Sequence, residues 1–188
     1  MKILFVMVKE DYIDPMNVEL LSALAKREGH ETFLNVLEHN NLKEEVRSIR
    51  PDLVAYSAKT GESNIMFRAN KWIKNEFKDA IKTVMGGPHP TFNHSRMRLY
   101  GETLTVPVGF DPSKGAKPLP IEDTMLDYLA VGEADETWPM MLKALSSNAS
   151  VDPIPNLVSI TNRRPDGKVS WPSRFASADN NSTFMGSM

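Results

Sequence analysis

The sequence predicts an α/β fold, a three-layer sandwich around a five-stranded parallel sheet, and three observations carry that prediction. Short apolar stretches alternate with amphipathic ones at the pace of βαβ units, which set parallel strands side by side through right-handed crossovers. The first stretch, Lys2 to Val8, is apolar throughout from Ile3 onward, as a strand buried on both faces must be. The fourth, Ile81 to Met85, runs straight into Gly86-Gly87-Pro88-His89-Pro90. Two positions without side chains, followed by stiff ones, stand where a chain turns sharply or a ligand comes close.

Each element carries its own signals. A polar loop, Lys9 to Asp14, follows the first strand. Asp14 is placed to cap the next helix, Pro15 suits its first turn, and Leu20, Leu21 and Leu24 recur at helical spacing. Lys26 and Arg27 lie near the negative end of that helix and Gly29 terminates it. Glu31 to Leu37 reads as a second strand and Asn41 to Arg50 as a short charged helix. Asp52 to Ser57, introduced by Pro51, reads as the third strand. Beyond the loop Lys59 to Ser63, a helix sets Ile65, Met66, Ala69, Trp72, Ile73 and Phe77 on one stripe, with Arg68, Lys71, Lys74 and Lys78 opposite. Asp127 to Val131 is the fifth strand, and Gly132 to Glu136 opens a last helix with Trp138, Met141, Leu142 and Leu145 inward.

Residues 1–150 therefore read as one α/β domain. The roughly forty residues between strands four and five exceed what a crossover needs, so the stretch from about 95 to 125 is an insertion, either a variable surface loop or a lid or docking segment. Within it, His94 to Tyr100 reads as helical. Residues 151–175 form a small extension, in which Asn156 to Asn162 and Lys168 to Trp171 suit a hairpin across the Asp166-Gly167 turn. Residues 176–188 lack periodicity and read as a disordered tail.

Composition narrows the function classes. With 22 Lys and Arg against 24 Asp and Glu, there is no broad basic field to hold nucleic acid or an anionic membrane. The longest apolar run, Ile3 to Val8, is too short to span a bilayer, and the chain is expected to be cytoplasmic. There are no cysteines, so thiolate nucleophiles, disulfides and cysteine-ligated iron–sulfur clusters are excluded within these residues. No spacing of His, Asp and Glu suggests a metal site, and no catalytic constellation emerges.

Doubly wound sheets hold their ligands at the carboxyl ends of the strands, which singles out four loops: Lys9 to Asp14, Ser57 to Ser63, Gly86 to Thr91 and Gly132 to Glu136. Ser57, Thr60 and Thr91 offer hydroxyls, while Gly61, Gly86, Gly87 and Gly132 let main-chain N–H groups come close to a ligand. His89 either touches ligand or caps a turn. Glu133 either accepts hydrogen bonds from a ligand or simply opens a helix.

Taken together, the apolar first strand, Pro-Asp-Leu-Val-Ala-Tyr-Ser-Ala-Lys-Thr at residues 51–60, Val-Met-Gly-Gly-Pro-His-Pro-Thr at 84–91 and Tyr-Leu-Ala-Val-Gly-Glu-Ala-Asp-Glu-Thr at 128–137 resemble the amino-terminal cobalamin-binding domain of cobalamin-dependent radical S-adenosylmethionine proteins. The resemblance covers roughly residues 1–160. It implies a flavodoxin-like (Rossmann-like) sheet with the corrin of cobalamin across the strand ends and the nucleotide tail near Gly86 and Gly87. Ser57, Ala58 and Thr60 would lie at the corrin or its tail, and Gly132 and Glu133 would close the far side. The partner it implies is a radical S-adenosylmethionine domain or subunit performing methyl transfer or cyclisation.

Two features depart from the wider pattern. Many cobalamin carriers present a histidine to cobalt from an Asp-x-His-x-x-Gly loop, and Lys9 to Asn17 has none, so the lower face of cobalt is expected to meet Tyr12, the neighbourhood of Lys59, or water. The cysteine-bound cluster of the radical domain has no counterpart in these residues. Competing readings are a flavin- or nucleotide-binding domain, for which Thr60-Gly61-Glu62-Ser63 is a faint phosphate loop; a receiver module, which would want an aspartate where Tyr56-Ser57 ends strand three; and a cofactor-free interaction domain.

Overall fold

A computed structural model describes residues 1–9, 15–59, 61–91, 103–104, 119–120 and 124–160. The elements in chain order are β1 (Lys2–Met7), α1 (Met16–Arg27), β2 (Glu31–Val36), α2 (Leu42–Ile49), β3 (Leu53–Ser57), α3 (Ser63–Phe77) and β4 (Lys82–Gly86). They are followed by the two-residue strands β5 (Thr103–Leu104) and β6 (Leu119–Pro120), then β7 (Tyr128–Ala130), α4 (Thr137–Ser146) and β8 (Leu157–Ser159). The strand order of the main sheet is β2-β1-β3-β4-β7-β8. The first five strands are parallel, in the 2-1-3-4-5 sequence of a doubly wound fold.

The sixth strand corrects the expected count. Leu157–Ser159 pairs antiparallel with β7, and Leu157 and Val158, 2% and 1% exposed, are buried at that edge of the sheet. Lys168 to Trp171 and residues 176–188 lie outside the described residues. So does most of the 95–125 insertion, of which the antiparallel β5·β6 pair is described.

Strand alternation sends side chains to two layers. Ile3, Phe5, Leu53, Ala55, Val84 and Tyr128 pack with Val18, Ala25, Trp138 and Leu142 of α1 and α4. Leu4, Val6, Val54, Tyr56, Met85 and Leu129 pack with Val46 of α2 and Met66, Phe67 and Ile73 of α3. Among the described residues no helix is long and apolar enough to cross a membrane.

Helix ends follow local chemistry, with one revision. Asn41 caps α2, its side-chain oxygen accepting from the Lys43 and Glu44 amides. Gly29, at φ +81°, closes α1: its N–H donates to the Lys26 carbonyl and that of His30 to Ala25, a Schellman arrangement. At the other end of α1 the cap position is Pro15, with no side-chain cap bond. Asp14, expected to cap there, lies outside the described residues.

The inward stripe of α3 is rotated from the one its apolar residues predict. Met66, Phe67 and Ile73 are buried as expected of a core face, but so are Asn70 and Lys74, while Ile65 is 48% exposed. The reason is polar. Asn70 Nδ2 donates to the Thr124 carbonyl at 2.6 Å, and Lys74 Nζ donates to the Ile81 carbonyl at 2.8 Å and pairs with Asp127 at 2.5 Å. Asp127 in turn accepts from the Thr83 amide and hydroxyl. A lysine is buried where its charge is paired and its donors are used. Trp72, expected in the core, is half-buried instead, covered by Lys43 and Arg47 of α2 at 5.4 and 5.5 Å from the ring centre.

Candidate functional site

A cleft of about 410 Å³ opens at the carboxyl ends of β1, β3, β4 and β7, on the side covered by α1 and α4. It exists because side chains on that face shrink along the strands. The amino ends hold Ile3, Leu53 and Tyr128, whereas the carboxyl ends hold Ala55 and Ser57 of β3, Gly86 of β4 and Ala130 of β7. Ser57 stands directly across from Gly86 in the ladder, and a Cβ built on Gly86 would stand 3.7 Å from that of Ala130. The helices therefore have nothing to close upon there. Phe5 and Trp138 form the aromatic part of the lining, their ring centres 5.5 Å apart. Trp138 Nε1 donates to the Leu21 carbonyl at 2.9 Å, which ties α4 to α1.

Two polar ties cross between the loops of the cleft. Asn17 Nδ2 donates to Ser57 Oγ at 3.0 Å, joining α1 to β3. The Gly132 amide donates to Thr91 Oγ1, also at 3.0 Å, joining the loops after β4 and β7. Each hydroxyl serves as acceptor in its tie. Glu133 and Asp135 line the cleft at the entry to α4, both exposed, and among the described lining residues there is no lysine or arginine.

The two glycines after β4 do different work. Gly86 is a strand residue on the cleft wall, where a Cβ would make only ordinary contact with Ala130. Gly87 has φ +97°, and a Cβ there would lie 3.0 Å from both the N and the O of Ala58. Its glycine is demanded by the turn and by the adjacent backbone, although Gly87 also lines the cleft.

The structure thus brings together Ser57, Gly86, Gly87, Thr91, Gly132 and Glu133 of the sequence-derived set. Ala58 is fully buried; its amide donates to the Gly86 carbonyl and its carbonyl accepts from the His89 amide, so it supports the loop without lining the cleft. His89 is also not part of the lining. It is 1% exposed with its ring 6.1 Å from that of Phe67, and burial lowers its pKa to about 4. Gly61 is exposed, away from the lining. Tyr12 and Thr60 lie outside the described residues. Residue-by-residue reading missed Phe5, Asn17, Leu21, Ala55, Ala130 and Trp138. The alanines had a legible signal, since Leu53-x-Ala55 and Tyr128-x-Ala130 both step down in size toward a strand end.

This is a doubly wound α/β domain with its crevice at the carboxyl edge of a parallel sheet, the place where such folds receive ligands. No protein-family model matches the chain. A hopanoid C-3 methylase from Methylococcus capsulatus is 27% identical over 157 residues, covering 81% of this chain and 26% of that protein. Two structures of the radical S-adenosylmethionine methyltransferase TsrM from Kitasatospora setae share the fold. One, with tryptophan substrate and a SAM analogue, superposes with a TM-score of 0.58 at 16% identity over 91% of this chain and 30% of that one. The other, with cobalamin and a [4Fe-4S] cluster, gives 0.57 at 17% identity over 92% and 31%. The sequence is thus similar to that of a methylase, and the fold is shared with a radical S-adenosylmethionine methyltransferase solved with cobalamin bound. The chain spans about a quarter to a third of the length of the proteins it matches.

Proposed function

We propose that this chain is the cobalamin-binding module of a radical S-adenosylmethionine enzyme. The observation that carries the reading is the wall of small residues, Ala55, Ser57, Gly86 and Ala130, which leaves a cleft at the strand ends within the size range of cofactor sites. A broad, amide-fringed macrocycle needs close approach to bare backbone together with hydroxyl and amide partners. Gly86 and Gly132 supply the first, and Ser57, Asn17 and Thr91 the second. The cleft would take in part of such a ligand. When bound, cobalamin supplies a cobalt centre able to carry a methyl group. The module's own residues hold and orient it for methyl transfer or cyclisation performed with a radical S-adenosylmethionine domain, in the cytoplasm.

Mixing the purified protein with hydroxocobalamin, desalting and recording the visible spectrum tests the proposal. Retained corrinoid absorbance at one equivalent is expected. A protein that retains no corrinoid absorbance would overturn it, and retention of flavin mononucleotide in its place would favour the flavin reading.

A further inference from the structure

Glu133 and Asp135 stand on the rim of the cleft where α4 begins, both exposed and lining it, and no described basic residue lines the cleft beside them. Carboxylates just ahead of α4 suit its dipole, but that stabilisation needs no cavity and leaves open why no Lys or Arg stands among the described lining residues. The other polar partners among the described lining residues are uncharged: the Asn17 amide with the Ser57 hydroxyl, and the Thr91 hydroxyl on the Gly132 amide. A carboxylate accepts hydrogen bonds and cannot donate them. Such a rim therefore favours a ligand edge bearing N–H donors and repels one bearing negative charge.

We propose that Glu133 and Asp135 make the rim an anion filter that selects corrinoids whose peripheral side chains are neutral primary amides over those carrying free carboxylates. The proposal rests on the cobalamin reading above and adds to it the chemical class of corrinoid accepted. The phosphodiester of the nucleotide tail is common to both kinds of ligand, so it cancels in a comparison between them. Amide and acid differ at one atom, an NH₂ donor against an O⁻ acceptor, which is the difference the rim is built to read.

The test uses hydroxocobalamin and its three separated b-, d- and e-monocarboxylic acids, titrated into the full chain at low and high salt. At low salt at least one monoacid is expected to bind about fivefold more weakly than hydroxocobalamin, the scale of one charge repulsion near a wet surface. That gap should shrink with added salt as screening sets in. In the double variant Glu133→Gln with Asp135→Asn the amide and acid forms should bind alike. Hydroxocobalamin and all three acids binding equally to the unmodified protein would overturn the filter and leave the cobalamin reading standing, as would a gap that persists in the double variant. Failure of every corrinoid to bind would overturn both.

Discussion

On the α2/α3 side of the sheet the strands keep large side chains to their carboxyl ends, with Val6, Tyr56 and Met85 all buried, and Met66 and Phe67 of α3 close over them. On the α1/α4 side β3, β4 and β7 finish in Ser57, Gly86 and Ala130, and a cleft remains. Backbone geometry is common to the two sides. What differs is side-chain volume at alternate positions, since an interior closes only where side chains fill it to the density of a solid. One layer is thereby committed to stability and the other to a ligand. The filled layer also holds the polar network at the opposite, amino-terminal end of the sheet, where Lys74, Asp127 and Thr83 satisfy one another.

The sharpest way to break the filled side is Asp127→Ala, which leaves the Lys74 ammonium buried without its carboxylate and strips acceptors from Thr83. Loss of about 3–5 kcal/mol in chemical denaturation is expected. Replacing Lys74 and Asp127 together by Met and Leu should cost much less, because no charge is then stranded. A Gly87→Ala change attacks the turn that both sides share. The added Cβ meets Ala58 backbone at 3.0 Å in a left-handed conformation, and about 2 kcal/mol of destabilisation is expected in the same assay.

Gly86→Leu tests the open side alone. Its Cβ has ordinary room beside Ala130, so the fold should lose less than about 1 kcal/mol, while the longer side chain fills the cleft and weakens hydroxocobalamin retention by at least about tenfold. Equal loss of stability in Gly86→Leu and Gly87→Ala would erase the distinction drawn between the two glycines.

His89 offers a pH readout on the filled side. Burial holds its folded pKa near 4, below the ordinary 6.5, so the unfolded chain binds the proton more readily. Its contribution to stability is present above about 6.5 and is lost as pH falls from there toward 4, at no more than about 1.4 kcal/mol per pH unit. Urea midpoints across that window should fall with acid, and His89→Gln should flatten this part of the profile. The smallest effect belongs to Asn17→Ala, which removes the exposed bond to Ser57. About 0.5 kcal/mol or less in stability should accompany a measurable change in the rate of corrinoid uptake, read by stopped-flow absorbance.

Much of this architecture was legible from residue order. The strands at Glu31, Asp52, Ile81 and Asp127 each had a Gly or Pro near one boundary, the one at Lys2 ran into a polar loop, and α4 buries Trp138, Met141 and Leu142 as its spacing requires. The loops bearing Ser57, Gly86, Thr91, Gly132 and Glu133 were legible too, because parallel topology alone sends them to one edge. His89 was ambiguous for a physical reason. A histidine after a glycine pair reads the same whether its ring faces a ligand or Phe67, and only packing settles which.

The sequence by itself determined the alternation of strands and helices, and hence the sheet and the edge on which a ligand would sit, because periodicity and turn chemistry act between near neighbours. Tertiary structure alone decided that α3 turns Asn70 and Lys74 inward, that Leu157–Ser159 extends the sheet, and that Gly86 opens a cleft while Gly87 serves the turn. Each depends on a partner far along the chain: Thr124 and Asp127 for α3, β7 for the sixth strand, and Ala58 and Ala130 for the glycines. Local pattern carries no record of such partners, since burial of a polar group or absence of a side chain acquires its meaning only from what folds against it.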